Sequence, residues 1–485
     1  MNIKQLVQKY FDRKGLPIRP ALTFSDVTIA TRYSDIARRS DLQDFNARLA
    51  KNFALNIPIV SANMEDVTGA GMAIALARAG GLGFIHQFFP IDQRVKEVQK
   101  VKRADNARID RPLTIEAGAT FGDALEKMKD HGISSILIVD GKKRLQGILT
   151  SRDYRFLTEK DHKRPVTALM KKMPLKTGDP RITAEEAVAL FEKYKIEKLP
   201  LVDARGVLRG LMSAKDIEKK RQYPHAARDA KGRLVVGATL RLNADYLDEA
   251  KQLVAAGADV LLLDTARAGS EIVVTATKKI RKALPKAVLV VGNVDNPEHV
   301  ELLVRAGADC IKVGIGPGAR CKTRMVAGVG TPQIYAIASC AAAARELGAY
   351  VIGDGGIRGS DDFAKALVAG ADAVMLGSLL AGTDESPGLL IRKGNQLWKQ
   401  YRGSASLEHQ LERIKKGSLD EVRNPEGESS PVAYAGSVSY VVKGLLDGLR
   451  SSMSYAGAHT VKELQEKASF LWVSDNGYEE GKPRS

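Results

Sequence analysis

The residues best suited to chemistry lie in one glycine-rich stretch, KVGIGPGARCKTRMVAGVGTPQ (312–333). An apolar run leads into three glycines and then into Cys321; the glycines are Gly314, Gly316 and Gly318. Glycine lets a backbone approach a ligand closely and present its N–H groups to a phosphate. Three nearby cations favour the nucleophilic thiolate form of the cysteine: Arg320, Lys322 and Arg324. The pattern predicts a catalytic cysteine at position 321, and the alternative is a small residue in a glycine turn.

A second group of candidate residues occupies GDGGIRGSDD (353–362) and MLGS (375–378). Asp354 ends an apolar run, and its carboxylate suits hydroxyl groups such as those of a ribose. Four residues in these stretches can offer backbone N–H groups to a phosphate: Gly355, Gly356, Gly377 and Ser378. The two stretches therefore predict a site for a phosphorylated ligand.

Eight short apolar runs, rich in β-branched residues, must position these side chains. They are IPIVSANM (57–64), LGFIHQF (82–88), RLVVGATL (233–240), DVLLLDTA (259–266), AVLVVGNV (287–294), CIKVGIG (310–316), YVIGDGG (350–356) and AVMLGS (373–378). Such runs are typical of strands buried on both faces of a parallel sheet, and helical patterns separate them. The alternation predicts an α/β fold, a (β/α)8 TIM barrel, with a doubly wound sheet as the alternative. In a barrel, catalytic residues gather at the carboxyl ends of the strands, where both stretches lie.

An internal repeat interrupts the alternation between the second and third runs. GILTSRD begins at residue 147 and GLMSAKD at residue 210, an offset of 63. The preceding segments GISSILIVD (132–140) and KIEKLPLVD (195–203) have the same offset. The repeat predicts a two-copy αβ module inserted in a loop of the barrel, where insertions are tolerated.

The composition excludes several classes of protein. The sequence has no run of 18 apolar residues, and its first residues, MNIKQLVQKYFDRKG, lack an apolar signal core, so we expect no membrane span and a cytoplasmic protein. Three cysteines, an odd and small number without paired spacing, argue against a disulfide framework and against a zinc site. The net charge of +17 attracts polyanions, but no basic stripe is interleaved with aromatic residues. Nucleic-acid binding is therefore the weaker expectation and a phosphorylated small molecule the stronger.

The motifs together resemble the IMP dehydrogenase/GMP reductase family over nearly the whole chain. The matching segments, in family order, are LTFSDVTI (22–29), PIVSANMEDVT (58–68), GGLGFIH (80–86), GNV (292–294), GIGPGxxC (314–321), DGGI (354–357), GS (377–378) and YRG (401–403). The repeat resembles a tandem CBS pair, or Bateman domain, at the family's insertion point. The resemblance implies a barrel formed by residues 1–109 and 223–485, with the CBS pair at 110–222.

The resemblance also implies roles for individual residues. Cys321 would attack C2 of the purine of GMP or IMP, assisted by Thr323 and Glu426. The implied substrate-binding residues are Ser61, Asn293, Gly316, Asp354, Gly356, Gly377, Ser378 and Tyr401. The implied cofactor-binding residues, for NADPH in a reductase or NAD in a dehydrogenase, are Asp264 and Gly314. Backbone carbonyls of three residues would hold a potassium ion: Gly316, Gly318 and Cys321. Four residues of the CBS pair would contact a regulatory nucleotide such as ATP or GTP: Thr150, Asp153, Ser213 and Asp216.

The choice between the two reactions depends on the segment 401–436. A dehydrogenase of this family activates water with an Arg-Tyr pair on a mobile flap, and this segment contains no Arg-Tyr dipeptide. The part GSLDEVRNPEG (417–427) is similar to the reductase's segment instead, which favours an NADPH-dependent GMP reductase. The CBS pair and a C-terminal stretch with Glu479, Glu480 and Gly481 are features of dehydrogenases, so IMP dehydrogenase is the alternative. A catalytically silent nucleotide-sensing or nucleic-acid-binding relative is the third hypothesis. The family implies a homotetramer or homo-octamer.

Overall fold

The computed structural model describes residues 21–482, apart from 107, 111, 416–421 and 423 and the side chains of 409, 412, 413 and 415. The described residues form two compact units. One combines the chain up to Arg94 with the chain from Val236 onward, and the other is Val95–Val235. No helix in the described part of the chain is long and apolar enough to cross a membrane.

The first unit contains a closed barrel of eight parallel strands. In chain order, β1 to β8 are Ile59–Ser61, Leu82–Ile85, Gly237–Leu240, Val260–Asp264, Val288–Val294, Cys310–Val313, Tyr350–Asp354 and Ala373–Leu376. Each strand pairs with the next in the chain, and β8 closes the barrel on β1. Nearly all side chains of these strands are buried, and most of them are apolar. The predicted (β/α)8 barrel is confirmed.

Helices follow the strands around the barrel. In chain order, α1 to α8 are Ala70–Arg78, Ile91–Arg103, Tyr246–Ala256, Glu271–Ala283, Pro297–Arg305, Gln333–Glu346, Ser360–Val368 and Val438–Ala456. Of these, α2 begins in the first unit and continues into the second, which starts at Val95. Two short helices, Thr323–Ala327 and Ser378–Ala381, begin just after strand-end loops. Most α helices place an apolar face against the barrel, as in α4, where Val273, Ala276 and Ile280 are buried.

The sequence AGAD occurs at 256–259, 306–309 and 369–372, and each copy forms the same turn between a helix and the next strand. The glycines Gly257, Gly307 and Gly370 have φ angles of 109°, 111° and 112°, a region that other residues rarely adopt. The aspartate that ends each AGAD sequence then forms two hydrogen bonds with a single residue at the previous strand. Asp309, for example, donates its N–H to the Leu289 carbonyl at 2.9 Å and accepts the Leu289 N–H on Oδ2 at 2.8 Å. Asp259 pairs in the same way with Val236, and Asp372 with Val351.

Smaller elements complete the first unit. Its remaining strands are Val27–Ile29, Ala47–Ala50, Phe53–Leu55, Leu390–Lys393, Gln396–Lys399, Val432–Ala433 and Phe470–Trp472. Its remaining helices are Leu407–Lys415, Val461–Lys467 and Asp475–Glu480, together with 3-10 turns at Phe24–Asp26 and Arg39–Asp41. The strands Ala47–Ala50 and Phe53–Leu55 form a hairpin whose residues Leu49, Ala50 and Leu55 are buried.

The second unit contains two antiparallel hairpins of identical layout. Ser135–Val139 pairs with Leu145–Thr150, and Lys198–Val202 pairs with Leu208–Ser213. Each hairpin has a register shift at the same step of its first strand. Two more strands, Thr114–Glu116 and Lys171–Lys172, extend the first hairpin, and Arg108–Ile109 extends the second.

Helices of the second unit cover the two hairpins. They are Phe121–Asp130, Ser151–Tyr154, Val166–Leu169, Ala184–Tyr194 and Ala214–Gln222, with a 3-10 turn at Glu159–Asp161. Phe121 packs in the apolar cluster of the first hairpin and Phe191 in that of the second. The predicted insertion, 110–222, lies within this unit, and its boundaries and its identity as a CBS pair stay predictions.

Candidate active site

Two adjoining cavities open at the carboxyl ends of the barrel strands. Their volumes are about 480 Å³ and about 380 Å³. Both are lined by Ala62, Met64, Gly318, Ala319, Asp354, Met375 and Tyr401. The first cavity continues to the loops after β7 and β8, and the second reaches Cys321 and the segment around Glu426. We call them the glycine cavity and the cysteine cavity.

Cys321 begins a chain of hydrogen bonds in the cysteine cavity. Its side chain is exposed, and its Sγ donates to Thr323 Oγ1 at 3.2 Å. The Thr323 hydroxyl in turn donates to Glu426 Oε2 at 2.7 Å. A proton can therefore pass between sulfur and carboxylate through one hydroxyl, as acid–base chemistry on a bound ligand would require.

Backbone pairing holds Glu426 beside the cysteine loop. The Lys322 N–H donates to the Glu426 carbonyl at 2.7 Å, and the Glu428 N–H donates to the Arg320 carbonyl at 3.0 Å. Cys321 and Gly427 form an antiparallel bridge between these two bonds. The pairing brings together segments 103 residues apart in the sequence, so the relay exists only in the folded chain.

The three cations expected around the sulfur bind other groups. Arg320 lies over the Tyr401 ring, with 5.2 Å from Cζ to the centroid, and donates to the Ser430 carbonyl at 3.4 Å. Lys322 pairs with Glu428 at 3.4 Å, and Arg324 donates to the Thr331 carbonyl. None of these contacts involves the Cys321 sulfur, so the expectation that the three cations favour its thiolate form stays a prediction.

A polar network crosses the floor of the cysteine cavity. Lys312, buried on β6, binds Asp264 Oδ1 at 3.0 Å and Asp354 Oδ2 at 2.5 Å. Asn63 donates to Asp264 Oδ2 at 2.7 Å, and Asn293 donates to Asp354 Oδ2 at 2.9 Å. Burial alone would lower the pKa of Lys312, but Asp264 and Asp354 outweigh burial and raise it. Lys312 therefore stays charged between two carboxylates.

The glycine cavity is built for close backbone approach. At Gly377 an added Cβ would lie 2.8 Å from the Tyr401 hydroxyl, so the loop after β8 accepts only glycine without rearrangement. Ser378 and Gly356 line the same cavity. Tyr401 is buried, and burial raises the pKa of its phenol, which therefore remains a hydrogen-bond donor at neutral pH. Amide and phenol donors around one space suit a phosphate.

Most of the other predicted barrel residues line these cavities. Asn293, Asp264, Gly314, Gly316, Gly318, Cys321, Thr323 and Glu426 line the cysteine cavity. Ser61 lines neither, because its side chain is buried and its hydroxyl accepts from Thr68 at 2.8 Å. Within the described residues, no group of three or more His, Cys, Asp and Glu side chains could hold a metal ion.

The four residues predicted to bind a regulatory nucleotide lie at the ends of the two hairpins in the second unit. Thr150 donates its N–H and its hydroxyl to Asp153 Oδ2, both at 2.7 Å, in a helix-capping arrangement. In the second copy, Lys198 donates to the Ser213 hydroxyl at 3.2 Å. Burial raises the pKa of Asp216, which Lys198 partly offsets. The two copies therefore differ in charge, because Lys198 of the second copy corresponds to Ser135 in the first.

The sequence interpretation missed two residues of the cysteine cavity. Lys312 is a lone charged residue in the apolar run CIKVGIG, a signal that was available because a charge on a strand buried on both faces needs a partner. Thr265 follows Asp264, and its Oγ1 is buried without a hydrogen-bond partner among the described residues. A buried polar atom without a partner needs an explanation, and a polar group of a bound ligand is one.

Comparison with known protein families and sequences supports a single family. The family model described as "IMP dehydrogenase / GMP reductase domain" matches residues 21–484. An inosine-5'-monophosphate dehydrogenase of Aquifex aeolicus is 45% identical over 467 residues, covering 96% of this chain and 95% of its own. One of Nitrosopumilus maritimus is 41% identical over 475 residues, covering 96% and 99%.

Solved structures with a similar fold carry the name of the other enzyme. A GMP reductase of Trypanosoma brucei in complex with guanosine 5'-monophosphate has a TM-score of 0.89 and 35% identity, covering 97% of this chain and 99% of its own. A GMP reductase of the same organism in complex with guanosine 5'-triphosphate has a TM-score of 0.78 and 33% identity, covering 95% and 100%.

Proposed function

This chain belongs to the IMP dehydrogenase/GMP reductase family of oxidoreductases, and from that premise we propose that it is a GMP reductase that converts GMP to IMP and ammonia with NADPH. The observation that carries the proposal is the relay from Cys321 through Thr323 to Glu426, in a chain whose segment 401–436 has no Arg-Tyr dipeptide. A reductase needs a proton for a departing amine, whereas a dehydrogenase needs a base for water.

The first half of the proposed reaction uses the relay in both directions. Cys321 Sγ attacks C2 of the guanine, and its proton passes through Thr323 to Glu426. Glu426 returns the proton through Thr323 to the 2-amino group, which leaves as ammonia when the C2–N bond breaks. The purine remains bound to sulfur as a thioimidate. Glu426 therefore acts first as a base and then as an acid, through the same two hydrogen bonds.

The second half needs a nicotinamide beside C2, and the residues of the cysteine cavity fit one. The unpartnered Thr265 hydroxyl and the carboxylate of Asp264 would hold the dinucleotide, with Gly314 leaving space for it. When bound, NADPH supplies a hydride to C2. The C2–S bond then breaks, the Cys321 thiolate leaves, and IMP is released.

The nucleotide would lie across both cavities. Asp354 lines both, and its carboxylate would accept hydrogen bonds from the ribose hydroxyls. The phosphate would lie in the glycine cavity against the amides of Gly356, Gly377 and Ser378 and the Tyr401 hydroxyl. Asn293 and Gly316 line the cysteine cavity where the base would lie.

Potassium, a regulatory nucleotide and assembly into a tetramer or octamer complete the proposal. Potassium would be held by backbone carbonyls of Gly316, Gly318 and Cys321; the Gly318 carbonyl also accepts the Cys321 N–H at 3.0 Å. Regulation would act through the repeat at 110–222. The similarity to a GMP reductase that was solved with guanosine 5'-triphosphate supports a guanine nucleotide as effector.

IMP dehydrogenase is the second candidate, and the relatives named IMP dehydrogenase at 45% and 41% identity favour it. In that reaction Thr323 and Glu426 would have to activate water without an Arg-Tyr pair. We would then expect slow hydrolysis and accumulation of the cysteine adduct.

Absorbance at 340 nm tests the proposal in two cuvettes with potassium. One contains protein, GMP and NADPH, and the other contains protein, IMP and NAD. Loss of absorbance with GMP and no gain with IMP is the expected result. A gain with IMP would replace the reductase by the dehydrogenase. If both cuvettes stay unchanged, also after addition of ATP or GTP, while the protein still binds a nucleotide, the result supports a nucleotide-sensing relative without turnover.

A further inference from the structure

Lys312 has an environment that neither the proposed chemistry nor the binding of a nucleotide explains by itself. Only 3% of its side chain is exposed, yet it is charged and lies on a barrel strand. Its Nζ contacts carboxylates from two other strands, Asp264 of β4 and Asp354 of β7. Burying a charge is costly unless it is paired, so the two carboxylates and the ammonium stabilise one another.

Asp264 and Asp354 differ in how many of their carboxylate oxygens already have a partner. Both oxygens of Asp264 have a partner, because Oδ1 forms the ion pair with Lys312 and Oδ2 accepts a hydrogen bond from Asn63. Asp354 accepts from Lys312 and Asn293 on Oδ2, while its Oδ1 accepts no hydrogen bond from the described residues. Asp354 lines both cavities, and Asp264 lines the cysteine cavity only. The free oxygen is therefore on the carboxylate next to the proposed ribose position.

We propose that Lys312 is a positioning residue that couples the nucleotide site to the hydride-donor site, because one ammonium is shared between the carboxylate of each. The inference rests on the proposed assignment of Asp354 to the nucleotide ribose and of Asp264 to the dinucleotide. If Asp264 loses its charge, the Lys312 ammonium interacts more strongly with Asp354. Asp354 then becomes a weaker hydrogen-bond acceptor for the ribose. Without Lys312 the same change acts only by removing a neighbouring negative charge.

A double-mutant cycle tests the coupling through binding of GMP, measured by calorimetry without any second substrate. Asp264→Asn is introduced into the wild-type chain and into the Lys312→Met variant. The long-range effect of the lost charge on the GMP phosphate is common to both arms and cancels. We expect Asp264→Asn to weaken GMP binding more in the wild-type background than in Lys312→Met, by about threefold or more, as for groups within one hydrogen-bonded network.

Two further variants guard against loss of folding. Lys312→Gln, which keeps a hydrogen-bond donor without the charge, replaces Lys312→Met if the latter does not fold. Lys102→Met is the matched control, because Lys102 is a buried lysine paired with Asp229 at 3.1 Å in the other unit. In that background the effect of Asp264→Asn should equal its effect in the wild type.

The outcomes separate this inference from the proposed function. Equal effects of Asp264→Asn with and without Lys312 overturn the coupling, whatever reaction the enzyme catalyses. If the wild-type chain binds neither GMP nor IMP, the proposed nucleotide site fails and the inference fails with it. Binding of GMP without turnover leaves the cycle fully interpretable, since it uses no turnover measurement.

Discussion

At the residue scale, burial separates the three cysteines. Burial raises the pKa of the Cys310 thiol well above its usual range and raises that of Cys340 to about 12, so both stay protonated and unreactive at neutral pH. Cys321 is exposed, lines a cavity and is hydrogen-bonded to Thr323. Of the three, it has the access and the partner that a nucleophile needs.

Replacing Cys321 with alanine should therefore abolish turnover while nucleotide binding persists. We expect Cys321→Ala to lower kcat by about 10⁴-fold or more, because no other group can form the adduct. GMP affinity measured by calorimetry should change little, since the proposed ribose and phosphate contacts remain. Cys340→Ala, in the interior of α6, is the matched control and should keep activity. Turnover by Cys321→Ala near the wild-type rate would refute the nucleophile assignment.

At the element scale, the AGAD turns explain how strands of the barrel are held in register. Each turn ends a helix with a left-handed glycine and then fastens the next strand to the previous one through two hydrogen bonds of an aspartate. The three junctions join β3 to β4, β5 to β6 and β7 to β8. The conformation of the glycine is a local property, whereas the role of the aspartate depends on a residue outside its own turn.

Loss of one of these aspartates should affect stability and leave chemistry intact. Asp309→Ala leaves the Leu289 N–H without its acceptor and removes the ion pair with Arg281, so we expect a loss of about 1–3 kcal/mol in the free energy of unfolding. Chemical denaturation measures this. The exposed Asp248→Ala is the control and should change stability by about 0.5 kcal/mol or less. A loss of kcat in folded Asp309→Ala would show that the turn does more than hold the barrel.

Asp372 makes one of these junctions sensitive to pH. Burial raises the pKa of its carboxyl from 3.8 to about 6. The folded protein therefore prefers the protonated form of Asp372. The contribution of this carboxyl to the free energy of unfolding is fully present below about pH 4 and is lost as the pH rises through 6. Asp372→Asn removes the charge that this environment disfavours.

The melting temperature as a function of pH checks this prediction. The difference in Tm between Asp372→Asn and the wild type should be more favourable to the variant at pH 7.5 than at pH 4.5. We expect this difference to change by a few degrees between the two pH values if the free-energy change is about 1 kcal/mol. Asp259→Asn, the same substitution at another AGAD junction, is the control for the hydrogen bond itself. A difference between Asp372→Asn and wild type that does not change with pH would contradict the assigned pKa shift.

At the scale of the whole molecule, the two hairpin copies of the second unit are not equivalent. Thr150 and Asp153 of the first copy bind each other, whereas Lys198 adds a cation beside Ser213 and Asp216 in the second copy. The residue equivalent to Lys198 in the first copy is Ser135, at the start of the matching strand. A nucleotide that binds beside Asp216 would meet a cation, Lys198, that the first copy lacks.

The effector response should therefore depend more on Asp153 than on Asp216. We expect Asp153→Ala to reduce the effect of GTP or ATP on activity by about fivefold or more, the lower range of coupling between sites. Asp216→Ala should have the smaller effect, and basal activity should persist in both. Titration of each effector against the initial rate measures the response. A wild-type response in Asp153→Ala would exclude the first copy as the effector site.

The sequence by itself determined the barrel, the glycine loops and the cysteine. These depend on local properties: the length and apolarity of strand runs, the helical patterns between them and the conformational freedom of glycine. The predicted phosphate loops and the Asp354 carboxylate lie together because parallel strands in a barrel all end on one side.

Only the tertiary structure decided which side chains meet. Lys312 pairs with Asp264 and Asp354, so this contact joins residues of three strands. The relay from Cys321 to Glu426 joins segments 103 residues apart. The same closure directs Arg320, Lys322 and Arg324 to other partners and turns Ser61 away from the cavities. A local pattern can indicate that Lys312 needs a partner but not which residues meet it, because these contacts are set by strand register and loop closure, which are properties of the whole barrel.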